Sequence, residues 1–249
     1  MSDKELNGKV AIVTGSGRNI GRAIALALAD GGATVIVNAR SHKQEADAVV
    51  REIEGKGGKA AAVLGDVADP ATAKNLAAAA QKLGRLDFLI NNAAVRKEAE
   101  LEKVTFEEWR QVQGIVVDGA FLCAQACAPL LKQSGAGAIV NIGGMSAHGG
   151  SKHRVHVLTA KSALVGFTKA LACDFAEHKV TVNYLSPGLI ATAREAGAPE
   201  PQHHAVAKTL TGERGKPEDI ASVVRFLCGP GARYITGQVI HANGGAYLP

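Results

Sequence analysis

Thr14-Gly15-Ser16-Gly17-Arg18-Asn19-Ile20-Gly21 has the composition of a phosphate cradle. Glycines let a backbone approach a diphosphate closely, and a helix that starts there offers free N–H groups and the positive end of its dipole. Placed between an apolar strand and an amphipathic helix, such a turn reads as dinucleotide-binding in preference to a plain tight turn. A carboxylate just after the second strand would bind a ribose 2′-hydroxyl and repel a 2′-phosphate. The chain has Asn38-Ala39-Arg40-Ser41 there, with no acid, and Arg18 in the turn is a second cation for the same phosphate. The expected cofactor is NADP(H); the alternative is that both arginines are ordinary solvated residues. Asp118 is an acid in an apolar stretch, hence either a proton donor of raised pKa or a partner for a nearby cation.

Metal and thiol chemistry are weaker readings. His148, His153, His156 and the pair His203-His204 lack carboxylate–His or Cys–His spacing, so no metal is expected. Cys123, Cys127, Cys173 and Cys228 sit in apolar segments and read as small core residues.

Alternating strands and helices must position these groups. Apolar strands at Lys9–Thr14, Thr34–Asn38, Ala61–Leu64, Phe88–Ile90, Ala138–Ile142, Val180–Tyr184 and Val239-Ile240 are separated by stretches of helical spacing. Helices are expected after the Gly-rich turn, at His42–Lys56, at Pro70–Leu83, from about Thr105, through Lys161 to Ala176, and at Pro217–Cys228. Continuous apolar strands between helices imply an α/β fold: a doubly wound parallel sheet covered on both faces, in a single domain over 1–249. The segment Arg194–Thr209, rich in Ala, Gly and Pro, reads as a substrate loop. Of the 249 residues, 47% are hydrophobic and 20% charged, which excludes disorder. The net charge of +5 is spread along the chain, so nucleic acid is not an expected partner. The start MSDKELNGKV has no apolar signal core, and Asp118, Gln125 and Pro129 interrupt the apolar run Gly114–Leu131. A cytoplasmic protein without a membrane span is expected.

The ordered set of motifs resembles the short-chain dehydrogenase/reductase family in its compact single-domain form. Thr14, Gly15 and Gly21 match its TGxxxGxG turn, with Asn19 in place of the middle glycine. Asn tolerates left-handed backbone better than most residues, so the turn can survive. Asp66-Val67 resembles the adenine-side Asp, and Asn91-Asn92-Ala93-Ala94 is close to the NNAG motif. Pro187-Gly188-Leu189-Ile190-Ala191-Thr192 resembles PGxxxT, which holds the nicotinamide carboxamide. Lys216–Ala221 and Tyr234–Gln238 complete the series. The resemblance implies cofactor contacts from these motifs, and from Lys161 to the nicotinamide ribose. It also implies a homo-oligomer, tetramer or dimer, packed through the central helices.

The same resemblance implies a catalytic Asn, Ser, Tyr and Lys, and here the sequence departs. Lys161 is present, but Val157 stands where the Tyr is expected, Gly144 where the Ser is, and Val116 where the Asn is. Valine cannot protonate a developing alkoxide. Hydride transfer belongs to the cofactor, so reduction of an activated C=C or C=N bond remains open. Val155–Lys161 is similar to a segment of the peroxisomal 2,4-dienoyl-CoA reductases, a branch that dispenses with the Tyr. Ile115–Gly119 is similar to their mitochondrial form, in which an Asn corresponds to Asp118 and a Tyr to Ser146.

Ser146 lies on the side of Gly144 if the chain stays extended, as a hydrogen-bond donor or a plain loop serine. His148 is a replacement acid or an exposed loop histidine. Arg154 returns to the Lys161 face and either binds an anionic substrate group or is solvated. Substrate is expected over Gly144 and Val157. The function expected is an NADP(H)-dependent oxidoreductase acting on the C=C, C=N or carbonyl bond of a small molecule. Two alternatives remain: a binding protein of this fold without redox catalysis, and a lyase or isomerase.

Overall fold

The computed structural model describes residues 4–193 and 208–249. Seven parallel strands form one sheet in the order β3-β2-β1-β4-β5-β6-β7. They are β1 (Val10–Val13), β2 (Thr34–Ala39), β3 (Lys59–Leu64), β4 (Phe88–Asn91), β5 (Ala138–Ile142), β6 (Thr181–Pro187) and β7 (Val239–Ala242). The helices are α1 (Asn19–Asp30), α2 (Lys43–Gly55), α3 (Pro70–Lys82), α4 (Phe106–Gln113), α5 (Gly119–Gln133), α6 (Ser146–Gly149), α7 (Val155–Asp174) and α8 (Pro217–Cys228).

Strand alternation assigns each helix layer its face. Ala11 and Val13 point into a core made with α1, α2 and α8, whose contributions include Ile24, Leu28, Val49, Ile53, Val224 and Leu227. Val10 and Ile12 point the other way, into a core with Leu76 and Ala80 of α3 and Cys123, Cys127 and Leu131 of α5. A third cluster joins Val112, Val116 and Ala120 to Val157, Ala160 and Leu164 of α7, around Tyr184 from β6. The strand order reverses between β1 and β4, and the carboxyl ends of these two strands frame the crevice in which such sheets bind ligands.

The long helix from Thr105 is two α-helices joined by a π-type turn at Gly114–Asp118. Its span Phe106–Gln133 is long and apolar enough to cross a membrane by length and composition, but half of its apolar window is buried in the protein. At Gly119 the helix passes close to Val67, since a Cβ there would lie 2.6 Å from Val67 Cγ2. Burial pushes the thiol of Cys123 up to about 12, and those of Cys127 and Cys228 higher still, as befits packing residues. Cys173 differs from the sequence expectation and is exposed, because α7 turns that position away from the sheet.

Candidate active site

At the end of β1 a side-chain stitch holds the crevice together. Thr14 Oγ1 donates to Ile90 O and accepts from the N–H groups of Asn92 (2.9 Å) and Ala93 (3.0 Å). Asn92 Nδ2 donates back to the carbonyls of Thr14 (2.8 Å) and Gly15 (3.0 Å). Two glycines make this approach possible. Gly15 has φ +61°, and a Cβ on it would lie 2.9 Å from Ala93 Cα. A Cβ on Gly21 would lie 2.3 Å from Gly15 O and 2.5 Å from Asn92 Nδ2.

Ser16 and Asn38 clip the turn to β2. Ser16 Oγ donates to Val13 O, and Asn38 Oδ1 accepts from Gly15 N at 3.1 Å. Asn38 Nδ2 is spent on Val63 O and Gly65 O, so its role is to shape the turn from beneath. Asp66 accepts from Ala68 N, and Val67 is buried beside it.

The N-terminus of α1 carries no side-chain cap and no acid in its first turn. Free N–H groups above a glycine cradle fit a diphosphate. Asn19 has φ +52°, the left-handed conformation that its type permits. Its side chain also clasps the backbone of Ala193, with Ala193 N donating to Oδ1 (2.8 Å) and Nδ2 donating to Ala193 O (3.2 Å). Arg18 and Arg40 are both exposed at this end. Glu45 in the first turn of α2 lies against Gly17, an acid that the residues directly after β2 did not reveal.

On the other side of the crevice, Pro187 ends β6 and Gly188 packs so tightly that a Cβ would lie 2.5 Å from Asn243 Cα. Ile190 is buried and pairs with Gly215. Thr192 Oγ1 accepts from Arg96 Nη1 at 3.3 Å. Arg96 was not among the sequence candidates, since an exposed arginine in a loop carries no local signal.

The Lys161 region is built on the end of β5. Lys161 Nζ donates to Ile142 O at 2.6 Å. Burial pushes its pKa down to about 7, and the charges of Arg96 and Arg154 add to the shift. Gly144 leaves open space where its Cβ would project. Its N–H donates to Tyr184 Oη at 3.1 Å, and the ring of Tyr184 fills the place of a Gly143 Cβ, 1.8 Å from Cζ. Tyr184 is fully buried, and that burial raises its pKa to about 12. Nothing in its apolar run distinguished it in the sequence.

Several expectations are corrected by this geometry. The chain does not stay extended after Gly144: Ser146 opens the short helix α6, because Met145 already has helical backbone. Ser146 still faces the site, since its Oγ accepts from Arg154 Nη1 at 3.3 Å. His148 is not an exposed loop residue. Its ring packs edge-on against His241 (4.8 Å between centroids) and Tyr184 (5.6 Å), and burial lowers its pKa. The neutral imidazole is therefore favoured near neutrality, which removes its advantage as an acid. Val157 is 3% exposed and packs in the core around Tyr184 instead of facing open space. Asp118 is exposed at the end of the π-type turn instead of being a buried acid, and among the described residues no hydrogen bond joins it to Lys161. Arg154 is half-buried. His203, His204 and most of the expected substrate loop lie outside the described residues. Among the described residues, no three His, Cys, Asp or Glu side chains gather at one point.

A parallel sheet with a glycine cradle at its switch point and a lysine beyond β5 defines a dinucleotide-binding α/β domain. Comparison with known proteins narrows the class. The family described as enoyl-(acyl carrier protein) reductase matches residues 15–247. An uncharacterized oxidoreductase of Methylorubrum extorquens is 42% identical over 247 residues, covering 97% of this chain and 98% of that protein. The 3-oxoacyl-[acyl-carrier-protein] reductase of a Synechocystis species is 38% identical, covering 98% of each. A Burkholderia cenocepacia short-chain dehydrogenase, crystallised with NADP, superposes with a TM-score of 0.90 at 33% identity, covering 97% of this chain and 99% of that one. A blue fluorescent protein from a metagenomic library, crystallised with NADPH, gives a TM-score of 0.91 at 37% identity, covering 98% and 100%. The chain belongs to the short-chain dehydrogenase/reductase family, whose members are nicotinamide-dependent oxidoreductases.

Proposed function

We propose that the protein is an NADP(H)-dependent reductase with a non-standard active site, acting on an activated C=C, C=N or carbonyl bond of a small molecule. The observation that carries this reading is the intact cradle of Thr14, Gly15, Gly21 and Asn92, which shares its crevice with Lys161 and the open space over Gly144. Gly15, Gly17, Asn19, Ile20 and Gly21 would hold the diphosphate, with Arg18 and Arg40 at the 2′-phosphate. Asn38, Asp66, Val67, Asn92 and Ala93 would line the adenosine side. Pro187, Gly188, Ile190 and Thr192 would seat the carboxamide. The bound cofactor would supply hydride.

The chain's own residues would then manage the proton. Lys161 exchanges its proton near neutrality, so its ammonium is the donor best matched to the operating pH once Val157 has replaced a hydroxyl. Ser146, oriented by Arg154, would hydrogen-bond the substrate beside Gly144. His148 would contribute as a neutral ring and Asp118 not at all. The relatives named as reductases, together with NADP and NADPH in two structural neighbours, support the cofactor assignment.

A homo-oligomer packed through α5 and α7 is part of the same reading. Phe121 is exposed on α5, and a groove of about 370 Å³ runs beside it between Ala124, Ala128, Phe167 and Leu171. A cytoplasmic location belongs to the same reading.

A second reading, an NADP(H)-binding protein without redox turnover, draws on the burial of Val157, which leaves no hydroxyl on α7 at that position. The experiment that separates the two measures NADPH consumption against matched saturated ketones and their α,β-unsaturated analogues, with product analysis and a Lys161→Ala control. Turnover lost in the control establishes the reductase. Tight NADPH binding without turnover establishes the second reading.

A further inference from the structure

The residues beside Arg18 and Arg40 enclose a carboxylate. A Cβ on Gly17 would lie 3.3 Å from Glu45 Cβ, 3.4 Å from Glu45 Oε2 and 3.6 Å from Ala39 Cβ. The Glu45 side chain therefore fills the gap between the turn after β1 and the end of β2. Gly17 adjoins Arg18 and Ala39 adjoins Arg40, and both arginines are exposed while Glu45 is half-buried. Among the described residues no hydrogen bond or ion pair holds the Glu45 carboxylate. Lys43, two residues away, pairs with Asp47 at 2.5 Å. An acid in the first turn of α2 favours the helix dipole wherever its carboxylate points, so the dipole does not account for the turn inward over Gly17. The side chain of Asn38 is committed to Gly15, Val63 and Gly65, which leaves Glu45 as the anionic acceptor at this edge.

From this juxtaposition we infer that the chain takes NAD(H) as well as NADP(H), and that Glu45 sets the balance between them. A ribose 2′-hydroxyl placed at this edge donates to the Glu45 carboxylate, a hydrogen bond strengthened by the charge. A 2′-phosphate meets the same carboxylate as a like charge, and Arg18 and Arg40 offset that repulsion. Each dinucleotide thus finds a complement in one pocket, the hydroxyl on the acid and the phosphate on the two guanidiniums. The inference rests on the proposed seating of the diphosphate and 2′-phosphate, and names a second cofactor for that seat.

The test titrates NADH and NADPH separately into the full-length protein and follows nicotinamide fluorescence. NADH should bind within about thirtyfold of NADPH. Glu45→Gln should tighten NADPH and weaken NADH, moving the ratio of their Kd values at least on the order of tenfold toward NADPH. Because a ratio is read, a general loss of binding in the variant does not imitate the effect. An NADH affinity more than about thirtyfold below that of NADPH overturns the inference, as does a ratio that Glu45→Gln leaves within about threefold. Failure of both dinucleotides to bind overturns the cofactor reading together with it. A ratio that answers to Arg18→Gln/Arg40→Gln but not to Glu45→Gln leaves that reading standing and overturns this inference alone.

Discussion

The contact between Gly143 and Tyr184 can be tested as a thermodynamic cycle. A methyl group on residue 143 would overlap the Tyr184 ring, 1.8 Å from Cζ and 1.9 Å from Oη. The ring is fully buried and cannot swing out without opening the cluster of Val112, Val116, Val157 and Leu164. Gly143→Ala should therefore cost about 3 kcal/mol, the upper end for overpacking a core. Tyr184→Ala should cost about 3–5 kcal/mol through loss of a large buried aromatic.

In the double variant Gly143→Ala/Tyr184→Ala the methyl enters space the ring has vacated. Its cost should approach that of Tyr184→Ala alone, about 3 kcal/mol below the sum. Tyr184→Phe supplies the control, because it removes only the hydroxyl that accepts from Gly144 N–H and keeps the clashing ring. Alone it should cost about 1 kcal/mol, and it should give no comparable relief to Gly143→Ala. Urea unfolding followed by the single tryptophan, Trp109, reads the unsubstituted chain, the three single variants and the two double variants at one fixed concentration. Additivity of Gly143→Ala and Tyr184→Ala to within about 0.5 kcal/mol would refute the steric reasoning.

Other positions give shorter tests. Gly21→Ala drives a methyl into Gly15 O and Asn92 Nδ2, so NADPH binding by fluorescence titration should fall at least on the order of a hundredfold, whereas Gly144→Ala enters open space and should leave it within about threefold. Lys161 has a folded pKa pushed down to about 7, below its unfolded value near 10.4, so between those two pH values the unfolded chain binds more protons. Stability should rise with pH across that window by up to about 1.4 kcal/mol per unit, and Lys161→Met should flatten the slope in pH-resolved urea titrations. Asn141 Nδ2 donates to Thr168 Oγ1 and Asn141 Oδ1 accepts from Asn91, all of them buried. Thr168→Val orphans that donor and should cost about 1–3 kcal/mol by chemical denaturation, and a neutral result would refute the network.

The sheet was readable because periodicity alone fixes it: β5 and α8 have the limits that their apolar runs imply. The backbone of the cradle was equally open to inference, since Asn19 takes the left-handed conformation that its chemistry allows. The site beyond β5 was harder. Whether Ser146 continues a strand or starts a helix depends on Met145, whose backbone is set by the bond from its N–H to Pro187 O, a contact across 42 residues. Val157 looked like a lining residue because it stands four residues before Lys161, where the family resemblance implies a Tyr, yet the face of α7 on which it falls packs on Tyr184. Arg96 and Glu45 gain their meaning only from the segments they meet in space, Thr192 and Gly17, which no local pattern encodes.

The clasp from Asn19 to Ala193 has a kinetic consequence. It links the turn beneath a diphosphate to the backbone just past Thr192, so a dinucleotide lying between them would be strapped in place. Its departure would wait for two hydrogen bonds to part, while a small substrate entering beside Gly144 would come and go without disturbing them. Ordered exchange is the expected behaviour, with the cofactor arriving first and leaving last. Asn19→Gly, which keeps the backbone conformation and deletes the strap, should shorten cofactor residence in stopped-flow displacement, and an unchanged off-rate would place the clasp outside the exit path.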